Sequence, residues 1–170
     1  MFVKFLREKK SASIILTIFR LYLGYTWTIA GFEKVTGSFD ATGFLHGSVS
    51  KATGEHPAVQ SWWADFLTHV AIPNADFFNF IVSWGELLVG LALLLGVFTT
   101  FSALMGAIMN FAFLFSGTVS TNPQMLLLTI FILVAGRNAS RWIGLDRWIL
   151  PKLFKLNHKS TTNNNEYPFN

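Results

Sequence analysis

Residues 77–97 form the apolar stretch that decides the fold, and they read FFNFIVSWGELLVGLALLLGV. The stretch contains a single acidic residue, Glu86, close to its middle. It has about the 20 residues that a helix needs to cross the hydrocarbon core of a bilayer. A carboxylate inside such a helix costs at least about 2.5 kcal/mol unless a partner compensates it, so the presence of Glu86 requires an explanation.

The composition of the whole chain is typical of an integral membrane protein. Of the 170 residues, 52% are hydrophobic and only 13% are charged, a balance that ordinary soluble domains do not reach. The chain has no cysteine, which excludes disulfides, thiol nucleophiles and thiolate-bound metals or clusters. The histidines between the first two apolar runs have spacings that match no metal-ligand signature, so no metal site is predicted.

Apolar runs predict four membrane-spanning helices within a single domain, residues 1–155. The predicted spans cover about 13–34, 77–97, 100–116 and 123–142. The last of these meets Arg137 before a membrane width is complete, and we expect its helix to continue toward Trp142. The fold class is therefore all-α, an integral membrane four-helix bundle.

The segments outside the spans also carry patterns. The long connection Thr36–Asp76 is predicted to face outward and to contain a short amphipathic helix over 58–70, with a weaker candidate over 41–51. Charges alternate with tryptophans and aliphatic residues over Arg141–Ile149, which predicts a C-terminal interfacial helix ended by Pro151. Residues 156–170 are rich in Ser, Thr and Asn, and we expect a disordered polar tail.

The distribution of basic residues predicts the orientation. Four Lys or Arg residues precede Ser13 and six lie from Arg137 onward, which puts ten of the thirteen on the side of the two termini. The positive-inside rule therefore predicts a multi-pass protein of the cell membrane with both termini in the cytoplasm. Attraction to anionic lipid accounts for the basic balance, so nucleic acid is not an expected partner.

Polar residues share faces of the predicted helices. At 100° per residue, a narrow stripe of the first predicted span carries charged, small and tryptophan residues: Arg20, Gly24, Trp27, Gly31 and Lys34. Helical rise places Arg20 and Glu86 at similar depths, which predicts that they face one another inside the bundle, with Asn110 and Arg137 completing a polar cluster. Such a pair either fixes helix register or forms a site that handles a ligand or proton, and spacing alone leaves both open.

These residues also carry a family resemblance. The stripe from Arg20 to Lys34, the pattern Gly85-Glu86-x-x-x-Gly90 and the closing Gly136-Arg137 with Leu145-Asp146-Arg147 resemble the DoxX/DoxD family of small four-helix membrane proteins over about residues 14–151. Thr100 departs from the pattern, because relatives often place a basic residue there. The long first connection resembles the DoxD-like branch, which includes the membrane subunit of thiosulfate:quinone oxidoreductase.

Two function classes follow from these observations. In the first, the chain is the membrane subunit of a redox system of the thiosulfate:quinone type. Glu86 and Arg20 are then the catalytic residues, and a quinone or small anionic substrate is bound by Lys34, Trp27, Asn110 and Arg137. No residue pattern supplies an electron carrier, so a membrane quinone or a membrane or soluble partner subunit must do so.

In the second class, the chain is a non-catalytic scaffold, partner subunit or small transporter whose buried charges serve packing. The broken helices or internal repeat expected of a transporter are not evident. The lipid bilayer is the partner that both classes share, and a homo-oligomer is compatible with either.

Overall fold

The computed structural model describes residues 1–152, so the predicted tail at 156–170 lies outside the described residues. Within that range the regular structure is helical, which confirms the all-α class. Seven α-helices follow one another before the helical residues 146–152: α1 Phe2–Glu8, α2 Lys10–Thr36, α3 Thr42–Ser50, α4 Ser61–Phe66, α5 Ala75–Leu95, α6 Thr99–Phe115 and α7 Asn122–Ala135. A π-helical turn, Leu67–Ala71, and a 3-10 turn, Ile72–Asn74, join α4 to α5.

The four longer helices pack in a ring. Helix α2 packs against α5 and α7, and α6 packs against the same two helices. Two helical stretches, Lys10–Thr36 and Ser61–Leu95, are long and apolar enough to cross a membrane, and Thr99–Phe115 is a shorter apolar helix. The prediction of four spans stays a prediction.

Large apolar side chains cover the outside of the longer helices. On α5, for example, Phe80 is 63% exposed and Leu88 is 59% exposed, and α2 exposes Tyr25 and Phe32 in the same way. A soluble protein rarely leaves so many contiguous apolar side chains in water, whereas hydrocarbon tails solvate them without cost. The exposed surface therefore agrees with a protein whose helices contact lipid.

Small residues set the contact between α2 and α5. A Cβ atom added at Gly31 would collide with the backbone of Leu87, one added at Gly90 would collide with Thr28, and one at Gly24 would lie 2.8 Å from the amide nitrogen of Leu94. The two backbones therefore approach as closely as they do in membrane helix pairs with small interfacial residues. This contact fixes the antiparallel register of α2 against α5.

Helix α7 is shorter than the sequence predicts. It ends at Ala135, and the expected continuation to Trp142 is wrong. Gly136 has φ 57° and ψ −126°, a backbone conformation that is accessible only to glycine, and the chain turns there into the 3-10 turn Gly136–Ala139. Arg137 therefore lies in this turn rather than in the last turns of a spanning helix.

The C-terminal segment also differs from its prediction. Residues 146–152 are helical, whereas residues 141–145 are not, and the helix passes Pro151 instead of ending at it. The amides of Leu145 and Asp146 donate to the carbonyls of Leu95 and Gly96. These hydrogen bonds attach the segment to the turn between α5 and α6, so the two amides are not available to a helix that begins at Arg141.

The connection between α2 and α5 contains the two short helices that its pattern predicts. Helix α3 packs on the π-helical turn after α4 through Leu45, Leu67 and Ala71, which are all buried. The amide of Ala41 donates to the side chain of Asn79 at 2.7 Å and ties the start of α3 to α5. The connection therefore covers one end of the long helices.

Candidate functional site

A cavity of about 320 Å³ opens at the end of the long helices that the connection covers. Helix α2 contributes Trp27 and Lys34 to its wall, α5 contributes Glu86, and α6 contributes Phe113. The remaining lining residues come from the start of the connection and from the segment between α6 and α7: Phe39, Phe44, Thr118, Ser120, Thr121 and Asn122, besides Thr26, Ala30 and Met125. We call this space the Lys34–Glu86 cavity.

An ion pair forms the charged part of its wall. The ammonium nitrogen of Lys34 lies 2.7 Å from a carboxylate oxygen of Glu86, whose side chain is only 2% exposed, whereas that of Lys34 is 24% exposed. The same ammonium lies 5.5 Å from the centre of the Phe39 ring. The pair compensates the buried carboxylate. The ammonium has three donors, of which Glu86 takes one and the carbonyl of Ala30, at 3.5 Å, accepts a second.

Two side chains of the helix bundle, one of which lines this cavity, carry polar atoms without a partner in the described part of the chain. They are the indole nitrogen of Trp27 and both amide atoms of Asn110, all of them buried. The Trp27 indole faces α6, because a Cβ atom at Gly106 would lie 3.2 Å from its nitrogen. Buried polar groups nearly always have a hydrogen-bond partner, so a bound water or ligand is expected where these are left unsatisfied.

An apolar compartment of about 100 Å³ adjoins the cavity. The two spaces share Phe39, Phe44 and Phe113 as a common wall. Its other lining residues are almost entirely apolar, including Trp63 and Phe66 of α4. The sequence does not single out these aromatic residues. In an apolar chain, no pattern distinguishes a phenylalanine that lines a cavity from one that packs in the core.

Arg20 does not contact Glu86, and the predicted pairing of these two residues is wrong. Its guanidinium donates to the carbonyl oxygens of Leu93 at 2.5 Å, Leu94 at 3.1 Å, and Ile143. The register set by the glycines places Glu86 level with residue 32 of α2, about 18 Å along the helix from Arg20. The guanidinium therefore satisfies the free carbonyls at the end of α5 and attaches the C-terminal segment to them.

A second buried acid completes this region. Asp146 is 3% exposed and accepts hydrogen bonds from the amides of Phe98 at 2.6 Å and Thr99 at 2.8 Å. Its carboxylate thus satisfies the first amides of α6 and interacts favourably with the positive end of the helix dipole. The sequence marked Asp146 only through its place in the closing Leu145-Asp146-Arg147 pattern. Its capping role could not be predicted from this pattern, because Phe98 is 48 residues away in the sequence.

Arg137 lies at the opposite end of the molecule from the Lys34–Glu86 cavity. It lines a separate cavity of about 300 Å³ together with Arg7, Arg141 and Arg147. The next residue, Asn138, is buried and donates to the carbonyls of Leu6 and Lys9, so the turn is attached to α1 and the start of α2. The predicted cluster is therefore divided: Lys34, Trp27 and Glu86 line one cavity, Asn110 is buried without lining it, and Arg20 and Arg137 lie elsewhere.

No group of three or more potential metal ligands occurs among residues 1–152. The wall of the Lys34–Glu86 cavity combines one ion pair, one indole donor, hydroxyl and amide side chains, and aromatic rings.

Comparison with known proteins identifies the family. Searches of curated proteins and of solved structures gave no match to this chain. The family model described as DoxX matches residues 15–118, which include most of α2, all of α3 to α6 and both members of the ion pair. The resemblance inferred from the stripe on α2 and from Gly85-Glu86-x-x-x-Gly90 is thereby confirmed, and the chain belongs to the membrane-associated DoxX family.

Proposed function

We propose that this protein is the membrane subunit of a redox system and that the Lys34–Glu86 cavity binds the headgroup of a membrane quinone. The observation that carries the proposal is a buried carboxylate, paired with a half-buried ammonium, on the wall of an aromatic-lined cavity in an otherwise apolar chain. Ionisable groups inside membrane helices usually mark sites where a ligand or a proton is handled.

The side chains in the cavity fit a quinone. Its two carbonyl oxygens are hydrogen-bond acceptors. The wall offers donors of the matching kind in the Lys34 ammonium and the Trp27 indole N–H, which has no partner within residues 1–152. Phe39, Phe44 and Phe113 provide flat apolar surfaces for a ring. A volume of about 320 Å³ is within the range of small-molecule sites.

Glu86 and Lys34 have complementary roles in this proposal. The carboxylate can hold and release a proton at the cavity wall, and the ammonium offsets negative charge that develops on a bound oxygen. In this proposal Lys34 takes the place beside Glu86 that the sequence pattern predicted for Arg20. Arg20 is bound to three backbone carbonyls and is not part of the proposed site.

The electron donor that the resemblance suggests is thiosulfate. In this reaction two thiosulfate ions lose one electron each and join through a new S–S bond, and the two electrons with two protons reduce the quinone to its quinol. Lys34, which is partly exposed, is the cation that could attract such an anion. Electron transfer from the donor to the cavity is the proposed task of a partner subunit.

The proposed orientation is multi-pass, with both termini in the cytoplasm. The basic residues of α1 and of the segment after α7 support it, because they meet at one end of the molecule. The Lys34–Glu86 cavity is then on the outward half, beneath the connection formed by α3 and α4.

Quinone content and turnover test the proposal together. Protein purified in mild detergent is extracted and its quinone quantified by mass spectrometry, and quinone reduction by thiosulfate is followed in membranes. We expect about one quinone per chain in the wild type and a loss of both signals in Glu86→Gln, with Glu33→Gln, which changes an exposed neighbour of Lys34, as the control.

A non-catalytic scaffold is the second candidate, and one observation favours it. The Lys34–Glu86 pair satisfies its own charges, as an ion pair that only holds two helices together would. Folded wild-type protein without quinone and without thiosulfate-dependent reduction would support the scaffold and overturn the redox proposal.

A further inference from the structure

Four arginines from four separate segments surround the cavity at the end opposite the ion pair. They are Arg7 of α1, Arg137 of the 3-10 turn, Arg141 of the following loop and Arg147 of the last described helix. The cavity has a volume of about 300 Å³, and we call it the arginine cavity. The arrangement is not a run of charges along one surface helix, because Arg7 of the N-terminal helix meets three arginines of the segment after α7.

Arginines outnumber acids four to one among the described residues that line the arginine cavity. Asp146 is the only acid among the lining residues that the structure describes, and its two oxygens already accept the amides of Phe98 and Thr99. Arg7 donates to the carbonyl of Val134, and Arg147 to that of Trp142. Bonds to neutral carbonyls orient these guanidinium groups without neutralising them.

Apolar side chains lie directly beside this charge. Trp142, Ile143, Leu145 and Trp148 are between 41% and 61% exposed, and with Arg147 they line an adjoining shallow pocket. Arg147 also lies 4.8 Å from the centre of the Trp148 ring. Tryptophans next to basic residues are typical of the boundary between lipid headgroups and acyl chains.

We propose that the arginine cavity binds the phosphate group of an anionic phospholipid, with the start of its acyl chains on the neighbouring tryptophan and aliphatic surface. Arginine is suited to phosphate, because its planar guanidinium donates two parallel hydrogen bonds to phosphate oxygens. A soluble phosphate would account for the arginines but not for the exposed apolar rim. This site is distinct from the Lys34–Glu86 cavity and does not depend on the function proposed for that cavity.

Two double variants with equal loss of charge test the site. Arg141→Gln with Arg147→Gln removes two cations from the arginine cavity, whereas Lys4→Gln with Lys9→Gln removes two exposed cations of the N-terminal region that do not line it. Full-length protein in neutral detergent is titrated with phosphatidylglycerol, phosphatidylcholine or inorganic phosphate, and binding is followed by native mass spectrometry and by the shift in melting temperature.

We expect phosphatidylglycerol to bind the wild type and the lysine variant with affinities within about threefold of each other, and to bind the arginine variant roughly ten- to thirtyfold more weakly. Equal losses in both variants would overturn the proposal, because they would indicate diffuse attraction. Equal binding of phosphatidylcholine would also overturn it, and the same stabilisation by inorganic phosphate would show a soluble anion instead of a lipid.

Folding of the variants is checked by their melting temperatures without lipid. If the double arginine variant unfolds, the single Arg141→Gln decides the outcome, because the Arg141 side chain makes no hydrogen bond within residues 1–152. We expect this variant to bind phosphatidylglycerol about fivefold more weakly than the wild type. Unchanged affinity in this folded variant would contradict the proposal.

Discussion

The Lys34 ammonium lies 2.7 Å from the carboxylate of Glu86, on the next helix along the ring of four. Glu86 is almost completely buried in this contact, and Lys34 is about one quarter exposed. Loss of either partner therefore has unequal consequences. A lysine left alone can turn toward the open side of the cavity, whereas a carboxylate left alone stays buried without compensation.

We expect Lys34→Gln to lower the free energy of unfolding by about 3 kcal/mol and Glu86→Gln to lower it by a smaller amount. Chemical denaturation in detergent measures both, and the double variant should show a coupling of about 1 kcal/mol or more. Arg20→Lys combined with Glu86→Gln should be additive, since these two residues do not touch. Coupling in that second pair, and none in the first, would contradict the register described for α2 and α5.

Glycine at position 90 is required by the close approach of α2. Gly90→Ala places a methyl group against the backbone of Thr28, so we expect a loss of roughly 1–3 kcal/mol of stability. Gly85→Ala, on the same helix, is the control, because its added methyl would lie 3.5 Å from the sulfur of Met109 in ordinary contact. Helix propensity should make this control neutral or slightly stabilising, and equal losses at both positions would refute the close contact.

Asp146 caps α6 from the C-terminal segment. Asp146→Asn removes the charge that accepts two buried backbone amides, and we expect it to lower the free energy of unfolding by about 2 kcal/mol. Asp65→Asn, at an exposed position of α4, should change it by less than about 0.5 kcal/mol. Hydrogen exchange of the first amides of α6 reports the same contact, and unchanged protection in Asp146→Asn would argue against the cap.

Asp40 gives a pH dependence in the connection that covers the cavity. Hydrogen bonds from the hydroxyl and the amide of Thr42 lower the pKa of the Asp40 carboxyl. Because the pKa of Asp40 is lower in the folded state than in the unfolded state, its ionised carboxylate stabilises the start of α3 at pH values above the ordinary aspartate pKa. This stabilisation is lost as the pH falls through the pKa of the folded state. A carboxyl titration by NMR should show the low value, and Thr42→Val should raise it. An ordinary value in the wild type would contradict these bonds.

Sequence patterns were sufficient to predict which residues share a helix face, but not which residue of another helix each of them contacts. The 100° periodicity correctly grouped Trp27 with Lys34, and the isolated charge of Glu86 correctly marked it as buried. The depths of Arg20 and Glu86 in the membrane, estimated from the ends of the apolar runs, could not identify the partner of Glu86. The register of α2 against α5 depends instead on Gly31 and Gly90, where the two backbones come into contact. An error of a few residues at each end was enough to select Arg20 in place of Lys34.

The end of α7 illustrates a second limit. Residues 123–135 follow a helical pattern, and the glycine after them does not by itself indicate which φ angle it will adopt. The positive φ of Gly136 is set by contacts that only the fold supplies, including those of Asn138 with α1. The aromatic wall of the cavity was missed for a related reason, since Phe39 and Phe44 come from the start of the connection whereas Phe113 comes from α6.

The most direct test of the central claim is the position at which a quinone binds. A photoreactive short-chain quinone is cross-linked to the full-length protein in detergent, and the modified peptides are mapped by mass spectrometry with unlabelled quinone as competitor. The account predicts competed labelling at residues of the Lys34–Glu86 cavity, such as Trp27 or Phe113, and its loss in Lys34→Gln. Competed labelling elsewhere, or labelling that excess quinone does not reduce, would contradict it.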